Sequence, residues 1–133
     1  MIVLLDTNVI IRFLTQDRST KYKTLYSFFE TLEQGSRRVE LKLIVFFQVI
    51  SVLKSYYQIS KEEIANAMSY LLKYRGIKIA EKKIVQRTLE LWRARAVEIE
   101  DCYLAACLER DTQNIIYSYD RDLDKFGLTR KKP

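Results

Sequence analysis

The chain opens with an apolar run, Ile2-Val3-Leu4-Leu5, that meets a carboxylate at Asp6 and continues as Thr7-Asn8-Val9-Ile10-Ile11-Arg12-Phe13-Leu14. The run has no polar alternation, so the pattern predicts a strand covered on both faces, as in the parallel sheets of α/β proteins. The apolar residues that follow predict a helix directly behind it. Strand, carboxylate and helix in this order place Asp6 at the carboxyl end of a parallel strand. That edge of an open α/β sheet is where ligands bind, and a carboxylate there can hold a cation.

The remaining chain repeats the alternation. Ser19-Thr20 offers a helix cap, and Tyr22, Leu25, Phe28, Phe29 and Leu32 follow at helical spacing until Gly35. Leu43-Ile44-Val45 reads as a second apolar strand that passes into a helix around Phe46 or Phe47, through Val49, Val52, Leu53 and Tyr56. This places Gln48 in that helix's first turn, near the same sheet edge as Asp6. Ser60-Lys61-Glu62-Glu63 has the form of a capping box, opening a helix through Leu72 that Gly76 ends. Ile77 to Ile79 reads as a short strand and Glu81 to Arg95 as an amphipathic helix. Ile99 to Leu108 reads as a mostly apolar helix with Glu100 and Asp101 in its opening turn. Asn114 to Tyr117 predicts the last strand, Ser118-Tyr119-Asp120-Arg121-Asp122 follows at its end, and Arg130 to Pro133 reads as a frayed tail. At 133 residues this is the length of one domain. The pattern predicts a single domain over 1–133, a three-layer α/β/α sandwich with a mainly parallel central sheet.

Composition narrows the chemistry. Histidine is absent, which removes the usual zinc ligands and the commonest general base at neutral pH. Cys102 and Cys107 lie five residues apart on a predicted helix, a spacing that fits neither a disulfide nor a C-x-x-C metal pair, and both read as small buried hydrophobes. Hydrolysis would therefore lean on carboxylates, lysine or a metal. No segment has the ~20 consecutive apolar residues of a membrane span, and Asp6 breaks any signal-peptide pattern, so the expectation is a cytoplasmic protein with no membrane partner. The net charge of +6 and pI near 9.3 fit either a polyanionic partner or ordinary solubilising surface charge.

Three aspartates stand out by position: Asp6 after the first strand, Asp101 at the start of a helix, and Asp120 after the last strand, with Ser118 two residues before it. Each has an ordinary explanation alone, as a helix cap, a helix-dipole partner and a turn residue respectively. Together, in this order and on these elements, they are a much more specific signal. Converging carboxylates can hold divalent ions, which activate a water and neutralise charge on a reacting oxygen. Mg²⁺ and Mn²⁺ take hard oxygen ligands, so converging carboxylates suffice without histidine.

The motifs Leu-Leu-Asp6-Thr7-Asn8-Val-Ile-Ile-Arg12, Glu100-Asp101-Cys102-Tyr103-Leu104-Ala105-Ala106 and Ile-Ile-Tyr-Ser118-Tyr119-Asp120-Arg121-Asp122-Leu123 resemble PIN domains, and among them the VapC-type toxins of prokaryotic toxin–antitoxin pairs. The resemblance covers nearly the whole chain. It implies a metal-dependent ribonuclease using Mg²⁺ or Mn²⁺, with Asp6, Asp101 and Asp120 as acids and Asn8 and Ser118 as supporting polar residues. It also implies a homodimer bound by a cognate antitoxin, for which Tyr22, Tyr26, Tyr56, Tyr57, Tyr70 and Tyr74 supply aromatic material. One position departs from the pattern: the family's second acid is normally a glutamate in the helix after the second strand, and Gln48 stands there.

RNA would be held by cations near the proposed edge, with Arg12, Lys42, Lys54 and Arg121 close to it in sequence and Arg37-Arg38 in a basic loop. Two other functions fit the residues. One is a PIN domain without catalysis that binds RNA or an antitoxin. The other is a phosphohydrolase using Asp6 as nucleophile in the manner of haloacid-dehalogenase-like enzymes, against which Asn8 stands where those have a second aspartate.

Overall fold

The computed structural model describes residues 1–17 and 22–133; the cap expected at Ser19-Thr20 lies outside them. Contacts along the chain divide it into two compact units, Met1–Lys82 and Lys83–Pro133. Short parallel strands alternate with helices in both, so the α/β class read from the sequence holds.

In the first unit the opening run is extended but lightly paired. Leu4 bridges Glu40 in parallel, the Glu40 N–H donates to the Val3 carbonyl at 2.7 Å and the Leu5 N–H to the Glu40 carbonyl at 3.0 Å. Leu5 is buried, whereas Ile2, Val3 and Leu4 are exposed. The expected cover on both faces is therefore missing, because one bridge fixes the backbone without laying anything over these side chains. Helix α1 (Thr7–Leu14) follows at once, then α2 (Leu25–Gln34), which ends at Gly35 in the left-handed region, φ 84°. Strand β1 (Val39–Glu40) pairs in parallel with β2 (Ile77–Lys78), Val39 opposite Ile77.

The strand expected over Leu43-Ile44-Val45 is the first turn of helix α3 (Leu43–Ser55), which starts behind an extended Lys42. An apolar run of this length suits a buried helix as well as a strand. Burial decides between them, since Phe46, Val49, Ile50 and Leu53 are buried at helical intervals while Ile44 is exposed. Helix α4 (Lys61–Leu71) begins as predicted, the Ser60 hydroxyl accepting from the Glu63 N–H at 3.2 Å. Gly76 does not end it. The helix stops at Leu71, and Gly76 lies where a Cβ would come within 2.0 Å of the Arg37 carbonyl oxygen.

The second unit holds most of α5 (Lys82–Ala94), then α6 (Ile99–Leu108) and β3 (Ile115–Tyr117). The predicted apolar stripe of α5 is buried at Val85, Thr88, Leu89 and Trp92. Cys102 is buried, Cys107 is half-buried, and neither forms a disulfide. A 3-10 helix (Arg121–Phe126) leads into β4 (Thr129–Lys131), which pairs in parallel with β3. The expected frayed tail is thus a strand as far as Lys131. Its register is fixed by Arg130, whose guanidinium holds both Asp124 oxygens, at 2.9 and 3.0 Å, and the Ser118 carbonyl at 3.1 Å. Among the described residues no helix is long and apolar enough to cross a membrane.

Candidate functional site

Asp6 is the residue before α1, with extended backbone (φ −92°, ψ 157°), and its carbonyl accepts from the Ile10 N–H at 3.4 Å. Its side chain makes no cap hydrogen bond. The helix-cap explanation therefore fails for Asp6, whose exposed carboxylate has no partner among the described residues. Asn8 is exposed one turn position further on.

Thr7, between them, is buried and donates its hydroxyl to the Gln48 Oε1 at 2.8 Å. This bond crosses from α1 to α3, which pack together. Because α3 starts at Leu43, Gln48 lies in its second turn rather than the first, yet it stands beside the Asp6 motif as the sequence predicted. With Oε1 facing Thr7, the amide nitrogen is the atom left without a partner among the described residues. Arg12 is paired with Asp17 at 3.1 Å and lies over the Tyr22 ring at 4.8 Å, and Lys42 is paired with Glu40. Asp6 also lines a cleft of about 600 Å³ within this unit, with Val9, Leu25, Phe28 and Arg37.

In the second unit Asp101 is half-buried in the first turn of α6. A helix start lowers the pKa of a carboxyl group. That of Asp101 is raised above the ordinary carboxylate range instead, first by burial and then by the nearby charges of Asp120 and Asp122. Desolvation and like charge outweigh the dipole here, so the dipole-partner explanation does not account for it. Asp120 does serve as a turn residue. One oxygen accepts from the Asp122 N–H at 2.9 Å, and its own N–H donates to the Ser118 hydroxyl at 3.0 Å. Both bonds shape the loop and leave the second carboxylate oxygen uncommitted. Arg121 is exposed at the start of the 3-10 helix.

A model of the PIN domain family matches residues 3–128. The chain belongs to the PIN domain family. No match was found among curated proteins. PIN domains are in general nucleases and typically use divalent ions such as Mg²⁺. Among the described residues of this PIN domain, no group of three or more histidine, cysteine or carboxylate side chains is drawn together closely enough to hold a metal ion. The donor chemistry nevertheless fits a hard cation. Asp6 has an uncommitted carboxylate, and Asp101, raised first by burial and then by the charges of Asp120 and Asp122, carries a penalty of the kind a bound cation relieves.

The sequence reading missed two contributors in the second unit. Asp122 adds charge to the Asp101–Asp120 pair. Arg130, its side chain only 12% exposed, holds the backbone at Ser118. Asp122 was legible as part of an acidic turn. Arg130 was hidden because a basic cluster near the end of a chain reads as solvated.

Proposed function

We propose that this PIN domain is an endoribonuclease of the VapC toxin type, dependent on Mg²⁺ or Mn²⁺ and weakened by Gln48. In this reading Asp6, Asp101 and Asp120 hold the ion, and Asn8 and Ser118 orient the polar groups around it. Arg12 and Arg121 contact the RNA backbone, and the active form is a homodimer held in check by an antitoxin. The observation that carries the reading is the Asp6 carboxylate, set at the start of α1 and left out of the helix cap. A carboxylate free of cap bonds at that position is available to a ligand.

A divalent ion supplies charge neutralisation and an activated water for phosphodiester hydrolysis. The chain's own residues do the placing. Ser118 fixes the Asp120 backbone through its hydroxyl, so the carboxylate is presented from a rigid turn. Thr7 fixes the position-48 side chain through Oε1. The amide so fixed carries no charge, and its nitrogen offers a donor where an ion and its waters need acceptors. A non-catalytic RNA-binding PIN domain is the second reading, and the same bond favours it, because an amide donor beside Asp6 suits a phosphate oxygen better than a cation.

Cleavage of total RNA and tRNA by the native chain, by Gln48→Glu and by Gln48→Glu combined with Asp6→Asn separates the two. Restoring the acid is expected to raise metal affinity or activity by about 10–100-fold, the scale lost when a supporting ligand contact is removed. Removing Asp6 should abolish the gain. Equal rates for the first two proteins would take position 48 out of the site, and undiminished activity in the third would take Asp6 out of it.

A further inference from the structure

The cleft that Asp6 lines is also lined by Val9, Leu25, Phe28 and Arg37, and the Arg37 guanidinium lies over the Phe28 ring at 5.2 Å from its centroid. The Arg37 charge has no carboxylate partner among the described residues, while Arg12 and Lys42 are paired.

The platform is also held in place. The Arg37 N–H donates to the Thr31 carbonyl at 3.2 Å, and its own carbonyl is packed against Gly76 so closely that no Cβ fits between them. Phe28 is braced edge-on by Phe29, centroids 5.5 Å apart at 90°. A fixed aromatic ring carrying an unpaired planar cation is the surface on which an unstacked base and its phosphate are recognised. At about 600 Å³ the cleft has the size of a small-ligand pocket, enough for a nucleotide and too little for a double helix.

We propose that this cleft receives an unpaired nucleotide of the RNA strand, its base laid on the Phe28–Arg37 platform and its phosphate on the Arg37 guanidinium. This rests on the nuclease reading in one respect only: it makes the nucleotide a neighbour of the phosphate to be cut near Asp6. The consequence is a preference for unpaired over paired RNA, set within the first unit. Apolar walls alone would also fit a protein partner's side chains. The unpaired arginine stacked on an aromatic ring favours the nucleotide.

The test measures binding without cleavage. A fluorescein-labelled oligouridylate, unpaired in the absence of a complementary strand, is titrated with the full chain in EDTA, and anisotropy is read for the native protein, Arg37→Ala, Phe28→Leu and Lys73→Ala, the last removing an exposed charge that does not line the cleft. Losing the stacking face in Phe28→Leu is expected to weaken binding roughly tenfold. Arg37→Ala should weaken it about fivefold and take about 0.7 off the salt slope, the share of one phosphate contact on a single strand. Lys73→Ala should do neither, and a duplex of the same length should bind no better after either cleft substitution than before.

Photocross-linking of a 5-bromouridine oligomer to the unsubstituted chain gives a readout that needs no variant to fold, and the adduct is expected on the peptide containing Phe28. An adduct elsewhere, or an Arg37→Ala protein that binds no worse than Lys73→Ala, overturns the proposal and leaves the cleft to a protein partner. If neither the native chain nor Gln48→Glu cuts RNA while the cleft variants lose the oligomer, the nuclease reading falls and the subsite stands. If Gln48→Glu cuts RNA and the cleft substitutions change neither its binding nor its KM, the subsite falls and the nuclease reading stands.

Discussion

Gly76→Ala tests the scaffold of the first unit at its tightest point. The glycine N–H donates to the Leu32 carbonyl and its carbonyl accepts from the Val39 N–H, both at 2.7 Å, so the residue is pinned between the end of α2 and the start of β1. A Cβ would meet the Arg37 carbonyl oxygen at 2.0 Å and the Leu32 carbonyl oxygen at 2.8 Å, where ordinary contact begins at 3.4 Å. Both neighbours are backbone, so neither can rotate away, and relief needs a shift of more than an ångström. Overpacking of this kind costs about 1–3 kcal/mol, and stretching two backbone hydrogen bonds about 1 kcal/mol each. The stiffer unfolded chain of the alanine variant returns about 0.4–1 kcal/mol. The net expectation is a loss on the order of 3 kcal/mol, which for a chain of this size lowers the melting temperature by roughly 10 °C. Urea unfolding followed by far-ultraviolet circular dichroism measures it directly. The shift falls on Arg37, so oligouridylate binding should weaken as well at temperatures where the variant is folded. A stability change within about 0.5 kcal/mol, the range of neutral surface substitutions, would refute the close approach and return Gly76 to the role of a loop residue.

Two other outcomes follow from the site and from the surface. Asp101 has a carboxyl group raised above its ordinary range by burial, Asp120 and Asp122, so its ionisation opposes folding as pH rises from the ordinary carboxylate range through the raised value. Asp101→Asn should therefore melt higher than the parent at neutral pH without added metal, the gain vanishing at pH below the ordinary carboxylate range. A variant that is less stable at neutral pH would contradict this. Ile44, Tyr56 and Tyr70 are exposed at 78%, 79% and 68%, large apolar surface that a second copy can cover. Light scattering at micromolar concentration is expected to give the mass of a dimer, and a monomer alone would remove the homodimer from the proposal.

The helices were legible where local chemistry and burial agree. Ser60 announces α4 through its hydroxyl, Gly35 closes α2 in the left-handed region, and the α5 stripe at Val85, Thr88, Leu89 and Trp92 is the buried face. Two strands were legible as well, β2 within Ile77 to Ile79 and β3 within Asn114 to Tyr117, but β1 and β4 were not, because two or three residues with charged neighbours are too few for a period to declare itself. The run from Leu43 to Phe47 shows the difficulty. It is apolar throughout, and only the burial at helical intervals that follows it, behind an extended Lys42, decides that Leu43 begins a helix. The last strand was masked by charge. Arg130 reads as solvated until the Asp124 carboxylate, held below its ordinary pKa by the Arg130 hydrogen bonds, shows the side chain turned back onto the chain.

The candidate site was legible as residue types at positions, and less so as interactions. Asp6, Asp101 and Asp120 could be chosen because each follows or opens an element, but the sequence gives no means of telling a carboxylate that caps from one that does not. The structure separates them: Asp120 shapes its own turn, Asp101 is strained by its acidic neighbours, and Asp6 has no structural bond to make. Gln48 is the sharper case. By type it breaks the pattern and could be dismissed as an error of register, since the strand expected before it is a helix. The Thr7 hydroxyl speaks for the position, because it reaches from the residue after Asp6 to the position-48 side chain and donates to its oxygen. A threonine can donate to a glutamate oxygen in the same way, with the stronger bond that a charged acceptor makes. The Thr7 hydroxyl thus suits an acid at the exposed position 48 as well as the amide it now meets, and the second oxygen of that acid would replace the one donor that faces away from Thr7. In the proposed reading, a single nitrogen-to-oxygen exchange on a side chain that Thr7 already holds is what separates a PIN domain that offers a donor at position 48 from one that would offer a metal ligand there.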